Sequence, residues 1–246
     1  MFRSRIRNAS EVDAKRIGAI SFQAHSLCND WSLRCPDVKA QDWVEVQTDL
    51  VLQHFGTMND VVVVAEDENG EVVGYVFGRV LGKGLPGAAK KKPLAGQNTV
   101  ELGKMSNASF IDSLVEKYDR ILWIRDFGVL PDKQGSGIGK ALMAYVIDEA
   151  QRRKVNIGLA GAAEAVRLYE KLGFEELVPA RFFEGSTIPM YQLAYEVGFQ
   201  NGIMSERGNT VLKRLRRSYV ICSQREMKIF RGKRLSASRL KDKRID

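Results

Sequence analysis

Apolar positions along this chain follow two periods, and the switches between them outline a succession of helices and strands. "VDAKRIGAISFQAHSL" (12–27) and "AQDWVEVQTDLVLQHF" (40–55) carry helical spacing, separated by the break "CNDWSLRCPD". Ser10, with Asp13 three residues on, reads as the N-cap of the first helix. "DVVVVAEDENGEVVGYVFGRVL" (60–81) changes period: two β-branched runs flank Asn69-Gly70, a strong hairpin signal. "SFIDSLVEKY" (109–118) predicts a short helix and "RILWIRDFGVL" (120–130) an apolar strand. From Gly137 to Lys154, Ile138, Leu142, Tyr145, Val146 and Ala150 keep helical spacing, and "RRK" closes that helix where cations suit its dipole. "VNIGLAGA" reads as a strand and "AEAVRLYEKL" as a helix stopped by Gly173. "FEELVP" and "PMYQLAYEV" read as two last strands.

Two stretches stand outside this alternation. Residues 82–107 hold five glycines, five lysines, two prolines and no aromatic residue, the composition of a mobile loop. Residues 197–246 hold 14 Lys+Arg against 4 Asp+Glu, a net of +10; with +8 for the whole chain, the other 196 residues carry −2. The basic character therefore belongs to the tail, and any argument for nucleic-acid binding concerns the tail alone. The expected organisation is one domain over 1–196, with 82–107 as a loop insertion, and a basic, partly disordered extension over 197–246.

Composition narrows the class further. At 246 residues, 44% hydrophobic and 28% charged, the chain has the make-up of a soluble globular protein. No apolar run approaches the roughly 18 residues of a membrane span, and the N-terminus lacks the apolar core of a signal peptide. Three cysteines without metal spacing point to a reducing compartment, and two histidines make a zinc site improbable; no metal is expected. The expected location is the cytoplasm, with the nucleus as an alternative through the basic tail.

"QGSGIGKALM" (134–143) puts three glycines into five positions between a strand and a helix. Such a junction is an anion site, because the free amides of the first helical turn and the helix dipole point at the ligand. A Walker A loop fails, since Ala141 follows Lys140 and Gln134 stands where its first glycine belongs. A dinucleotide fingerprint fails on spacing and on the hairpin that precedes it. Gln134-Gly135-Ser136-Gly137-Ile138-Gly139 does satisfy Gln/Arg-x-x-Gly-x-Gly/Ala, and it resembles the pyrophosphate loop of the GNAT acetyltransferases. "DFGVLPDKQGSGIGKALMAYVIDEA" and, downstream, "AVRLYEKLGF" (165–174) resemble the two signatures of that family, and the order of elements over 1–196 is similar to the family's.

The resemblance implies an α/β (α+β) fold, a twisted and mostly antiparallel sheet with flanking helices. Its fourth and fifth strands, near 121–130 and 156–161, splay apart. It implies acetyl-CoA as cosubstrate, with Phe127 and Val129 contacting pantetheine through backbone. Gln134, Gly135, Ser136, Gly137, Ile138, Gly139 and Lys140 would hold the pyrophosphate, with Lys133 and Lys140 as candidate phosphate partners. Tyr169 matches the family tyrosine that protonates the departing thiolate. For the base, Trp123 and Arg125 stand where family members carry acids, and Asp126 remains, either as base or water relay or as an ion-paired structural residue. Ala162 replaces a frequent asparagine.

The implied function is an N-acetyltransferase acting on a primary amine, with a small molecule favoured over a protein. Trp31 with Asp30 could frame a cationic acceptor or only pack the helix pair. Two other readings stay open: a coenzyme A-binding protein of this fold without turnover, and a protein acetyltransferase or interaction protein whose tail binds polyanions or acidic partners.

Overall fold

A seven-stranded sheet runs through the protein in the order β1-β2-β3-β4-β5-β7-β6. The computed structural model describes residues 5–87, 92–99, 106–182 and 189–197. The strands are β1 (Arg5–Asn8), β2 (Asp60–Glu66), β3 (Val72–Gly82), β4 (Arg120–Val129), β5 (Asn156–Ala162), β6 (Glu175–Phe182) and β7 (Pro189–Tyr195). The helices are α1 (Ala14–His25), α2 (Trp31–Arg34), α3 (Ala40–Leu52), α4 (Ala108–Tyr118), α5 (Ile138–Arg153) and α6 (Ala163–Lys171). Every neighbouring strand pair is antiparallel except β4 and β5, which run parallel with α5 as their crossover.

Local chemistry starts and stops these elements where the sequence signals stand. Ser10 and Asp13 form a capping box, with the Ser10 amide 2.8 Å from Asp13 Oδ2, at a short 3-10 turn that leads into α1. Asp13 also takes two bonds from the Arg7 guanidinium, at 2.8 and 2.9 Å, tying the helix entry to β1. Gly70 turns the β2–β3 hairpin at φ 78°, and Gly173 ends α6 at φ 93°. Within the break expected at 28–37, residues Trp31–Arg34 make one additional helical turn, α2.

The sheet is covered on both faces. Alternation along β3 shows the two sides: a Cβ on Gly74 would lie 3.2 Å from Ile138 and Leu142 of α5, while the next residue, Tyr75, hydrogen-bonds Asp126 on the opposite side, toward α1. The α5 face buries Ile138, Leu142, Met143, Val146, Ile147 and Ala150. Each large aliphatic among them contributes roughly 2 kcal/mol of apolar burial.

Two features of β4 shape the centre of the molecule. Its ladder to β5 runs only from Ile121↔Asn156 to Ile124↔Leu159. Beyond that point Asp126–Val129 pair with β3 alone, and Ala160–Ala162 pair with β7, so β4 and β5 part company. The β3–β4 register also slips there: Phe77 faces Asp126 and Gly78 faces Ile124, leaving Arg125 as the extra residue of a bulge. A Cβ on Gly78 would come within 2.3 Å of the Trp123 carbonyl oxygen, so the bulge packs against a position that only glycine fits.

The stretch expected as a mobile loop, 82–107, is partly outside the described residues. Its described segment 92–99 lies on α2 and α3: Leu94 is buried beside Cys35 and Trp43, Lys92 Nζ is 2.7 Å from Asp49, and the Asn98 amide donates to the Arg34 carbonyl. One apolar anchor within a polar, glycine-rich sequence is enough to seat it. At the other end, the Val197 side chain is buried and its amide donates to Asn156 Oδ1 at 2.9 Å. Val197 thus belongs with the residues before it, and the chain divides into Met1–Val197 and Gly198–Asp246. The basic tail lies outside the described residues.

Candidate functional site

The glycine loop sits at the start of α5, beside the gap between β4 and β5. Gly135 and Gly137 have φ of 74° and 94°, a region side-chain-bearing residues avoid, and a Cβ at either would meet nothing within 4 Å. Glycine is needed there for backbone shape, and the space over the loop is open. Gly137 is the N-cap of α5, and the first amide to bond back is that of Ala141, to the Gly137 carbonyl. The amides of Ile138, Gly139 and Lys140 therefore have no intrahelical acceptor.

The remaining predicted loop residues take distinct places. Gln134 spends its side-chain amide on the loop itself, donating to the Val129 carbonyl at 3.1 Å, and Ser136 Oγ donates to the Lys133 carbonyl at 2.5 Å. Ile138 is buried under the helix start, and Lys140 is exposed. Gly139 serves packing: a Cβ there would lie 3.1 Å from the Phe127 ring and 3.8 Å from Val129 Cγ2. The loop is thereby held against the stretch of β4 that has lost its β5 partner. An elongated ligand with an anionic end fits a site in which the free strand edge runs into the amide cradle.

Asp126 stands at the bulge, 12% exposed in its side chain, where β4 leaves β5. Its Oδ1 takes bonds from His25 Nε2 at 2.6 Å and from the Phe127 amide at 2.9 Å. Its Oδ2 takes bonds from the Tyr75 hydroxyl at 2.9 Å, Ser21 Oγ at 3.2 Å and the Gln47 amide. The Trp43 indole N–H in turn donates to Ser21 Oγ at 3.1 Å. Ser21, Tyr75 and Gln47 are at most 2% exposed, so α1, β3 and α3 all contribute to fixing one carboxylate. Buried Gln47 Oε1 has no hydrogen-bond partner among the described residues.

This network engages both oxygens of Asp126, the residue expected as base, water relay or ion-paired structural group, and the titratable ring it holds is that of His25. Burial works to lower the His25 pKa, but the charge and hydrogen bond of Asp126 outweigh it and raise the imidazole to about 9. His25 keeps 23% of its side chain exposed, so it is reachable. Arg125, the neighbour weighed as an ion-pair partner, is the exposed residue of the bulge.

Tyr169 lies on α6, 4% exposed, with its ring 6.3 Å from that of Phe127 and 5.6 Å from that of Phe174. A Cβ on Gly161 would come within 2.8 Å of the ring, so β5 is stripped of a side chain to admit it. Its hydroxyl has no hydrogen-bond partner among the described residues. Burial, reinforced by the negative charge of Asp126, pushes the phenol well above its ordinary pKa. The proton stays on Tyr169 at neutral pH and is available to a strong base formed close by.

Trp31 and Asp30 do not form an open cation site. Asp30 is 3% exposed and pairs with Arg34 at 2.7 Å, while Trp31 packs edge-on against Phe22 and Trp43. Among the described residues no group of three or more His, Cys, Asp or Glu is placed to hold a metal ion, and no helix is long and apolar enough to cross a membrane.

Known proteins match this architecture. A family model described as "Acetyltransferase (GNAT) family" matches residues 24–174. A [Ribosomal protein bS18]-alanine N-acetyltransferase from Escherichia coli (strain K12) is 39% identical over 66 residues, which span 25% of this chain and 45% of that protein. The chain thus matches less than half the length of this curated relative. Among solved structures, the ribosomal-protein-S18-alanine N-acetyltransferase from Escherichia coli superposes with a TM-score of 0.50 at 16% identity, covering 81% of this chain and 97% of that one. The C-terminal condensation domain of Ebony, in complex with beta-alanyl-dopamine, gives 0.59 at 12% identity, covering 80% and 100%.

Proposed function

We propose a function that proceeds from one premise: the chain belongs to the acetyltransferase (GNAT) family. The reaction is transfer of an acetyl group from acetyl-CoA to a primary amine. The observation that supports it most is the conjunction at one strand edge: β4 freed from β5, running into the amide cradle of residues 135–140, with Asp126–His25 and Tyr169 flanking the opening.

Each group has work suited to its environment. The free edge of Phe127 and Val129 takes the pantetheine, and the cradle takes the pyrophosphate. The Val129 amide stabilises the oxyanion that forms on the acetyl carbonyl. An alkylammonium near pKa 10.4 is only about 0.1% neutral at pH 7.4. A base near 9 beside the entrance reduces that disadvantage, and His25, steadied by Asp126, takes the amine proton. Tyr169 gives its proton to the departing thiolate.

The pH dependence has a definite sign. His25 acts as a base only when neutral, so kcat/KM for an amine of low pKa rises with pH and levels above about 9. In Asp126→Asn the raising charge is gone and burial prevails, so the rising limb moves down by more than about one pH unit and the plateau falls, since the base is weaker. The same pair contributes stability that is complete below about 6.5 and is lost as pH rises through about 9. Thermal melts of wild type and His25→Gln between pH 6 and 10 should therefore converge at the alkaline end. An Asp126→Asn profile that coincides with wild type would return Asp126 to a purely structural role.

Two acceptor classes remain in view. The sequence favours a small amine entering beside α1 and α3. The partial identity to a ribosomal-protein-alanine acetyltransferase favours the α-amine of a peptide. Thiol release measured over a panel of polyamines, arylalkylamines and alanine-initiated peptides tests the reaction and chooses between them; release with none of these, despite acetyl-CoA binding, would make the protein a coenzyme A binder without turnover.

The tail is proposed as a separate electrostatic arm. A chain ending at Val197 keeps the core bond to Asn156 and is expected to fold and to bind acetyl-CoA. It should elute from a polyanion column at lower salt than the full chain, because the full chain adds +10 and each phosphate contact releases counterions. Equal elution would reduce the tail to a solvated charge run.

A further inference from the structure

Arg125 has no task in the reaction as described, although it stands at the mouth of the site. Ile124 is the last residue of β4 with a partner on β5, and Asp126 is the carboxylate that holds His25 at 2.6 Å. Arg125 lies between them as the extra residue of the bulge, at the point where the two strands part. Bulges of this kind re-aim a side chain beside a site. Arg125 is exposed and makes no hydrogen bond or ion pair among the described residues. Arg7, Arg34, Arg79 and Arg153, by contrast, each reach a carboxylate within 2.8 Å. The acids near the opening are already engaged. Asp126 takes bonds through both oxygens, Asp30 pairs with Arg34 at 2.7 Å, and Glu164 accepts from the Asn29 amide at 3.0 Å. Arg125 is left without an ion-pair partner. Although exposed, it is hemmed in by protein, which lowers its guanidinium from the ordinary value against the pull of Asp126.

We propose that Arg125 binds a carboxylate of the acceptor, and that the acceptor is a small primary amine carrying that carboxylate: an amino acid, not a simple alkylamine or a diamine. This narrows the acetyl-transfer reading and rests on it. A guanidinium presents its N–H groups in a planar fork that matches both oxygens of a carboxylate, and such charged bonds are about twice as strong as neutral ones.

The arrangement orients both ends of such a molecule. Arg125 adjoins Asp126 in the chain, and His25 hydrogen-bonds it, so the two groups flank one carboxylate. An acceptor held by its carboxylate at Arg125 carries its amine, a few carbons away, toward His25. A diamine has a second ammonium where the carboxylate belongs, and that charge meets Arg125 as a like charge in a partly desolvated place. An alkylamine meets no repulsion but leaves the guanidinium unmatched. Selection therefore works through attraction to one class and repulsion of the other.

The test compares amines of matched length in thiol release by the full-length protein at saturating acetyl-CoA: 4-aminobutanoate, butylamine and 1,4-diaminobutane, with L-alanine and β-alanine as shorter amino acids. The best amino acid should exceed butylamine and the diamine in kcat/KM by about 10- to 100-fold, the worth of a charge-assisted pair. Arg125→Gln should bring that ratio near unity, Arg125→Glu should reverse it in favour of the diamine, and Arg125→Lys should keep part of it, having the charge without the fork. Arg125→Gln breaks no hydrogen bond or ion pair among the described residues, so it should melt cooperatively and bind acetyl-CoA in titration calorimetry. Equal use of butylamine or the diamine by the wild type, or a preference for amino acids that survives in Arg125→Gln, overturns the carboxylate subsite and leaves acetyl transfer standing. Release with alanine-initiated peptides alone overturns it in favour of a peptide α-amine. Release with none of these acceptors overturns the transfer reading as well.

Discussion

Gly137→Asp should abolish measurable acetyl-CoA binding while the protein stays folded. The N-cap of α5 is where the open amides of the first turn converge, and a Cβ there would meet no protein atom within 4 Å, on the side assigned to the pyrophosphate. A carboxylate would oppose the ligand charge and compete for the same amides. The φ of 94° adds backbone strain of about 1–2 kcal/mol for any side chain. Gly137→Ala is the control, since it carries the strain without the charge. Calorimetric titration should show weakened binding in Gly137→Ala and none in Gly137→Asp, with both melting as cooperative folded proteins. Unchanged affinity in Gly137→Asp would remove the loop from the binding site.

Tyr169→Phe should lower turnover by about 10²-fold or more with little change in acetyl-CoA affinity. The substitution retains the ring that fills the space left by Gly161 and lies tilted beside Phe127 and Phe174, so packing is conserved. It deletes only a hydroxyl that has no hydrogen-bond partner among the described residues, so no buried polar group is orphaned. The upward shift of the phenol has a further consequence: Tyr169 is a weaker acid than free tyrosine, and donation needs the thiolate at close range. Steady-state kinetics with saturating acetyl-CoA, alongside titration of the ligand, separates the roles. Equal kcat in the two proteins would leave Tyr169 as packing beside the cofactor cleft.

Much of this arrangement is written in short-range chemistry. Helix α5, its glycine N-cap and its basic end follow from neighbouring residues, as do the Asn69-Gly70 hairpin and the stop at Gly173, because capping, left-handed turns and amphipathic spacing depend on a few adjacent positions. The glycine loop and Tyr169 were legible for the same reason: each sits inside a contiguous signature. Leu94 was not, since a single apolar residue in a polar stretch has no periodicity to announce its burial.

The carboxylate network depended on contacts far apart in sequence. Asp126 draws its donors from positions 51 to 105 residues away, Tyr75, Gln47, His25 and Ser21. No local pattern marks them: Ser21 and Gln47 are polar residues in helices of ordinary amphipathic spacing, and His25 stood out only as one of two histidines. Three elements had to pack on β4 before a carboxylate adjoining an arginine became the anchor of an imidazole raised to about 9. The bulge at Arg125 and the parting of β4 from β5 are likewise products of register between strands, to which a single strand's sequence is blind. The sequence alone determined where a helix would start behind a left-handed glycine N-cap. Tertiary packing decided which side chains would meet beside it, because burial and long-range pairing set their charges and orientation.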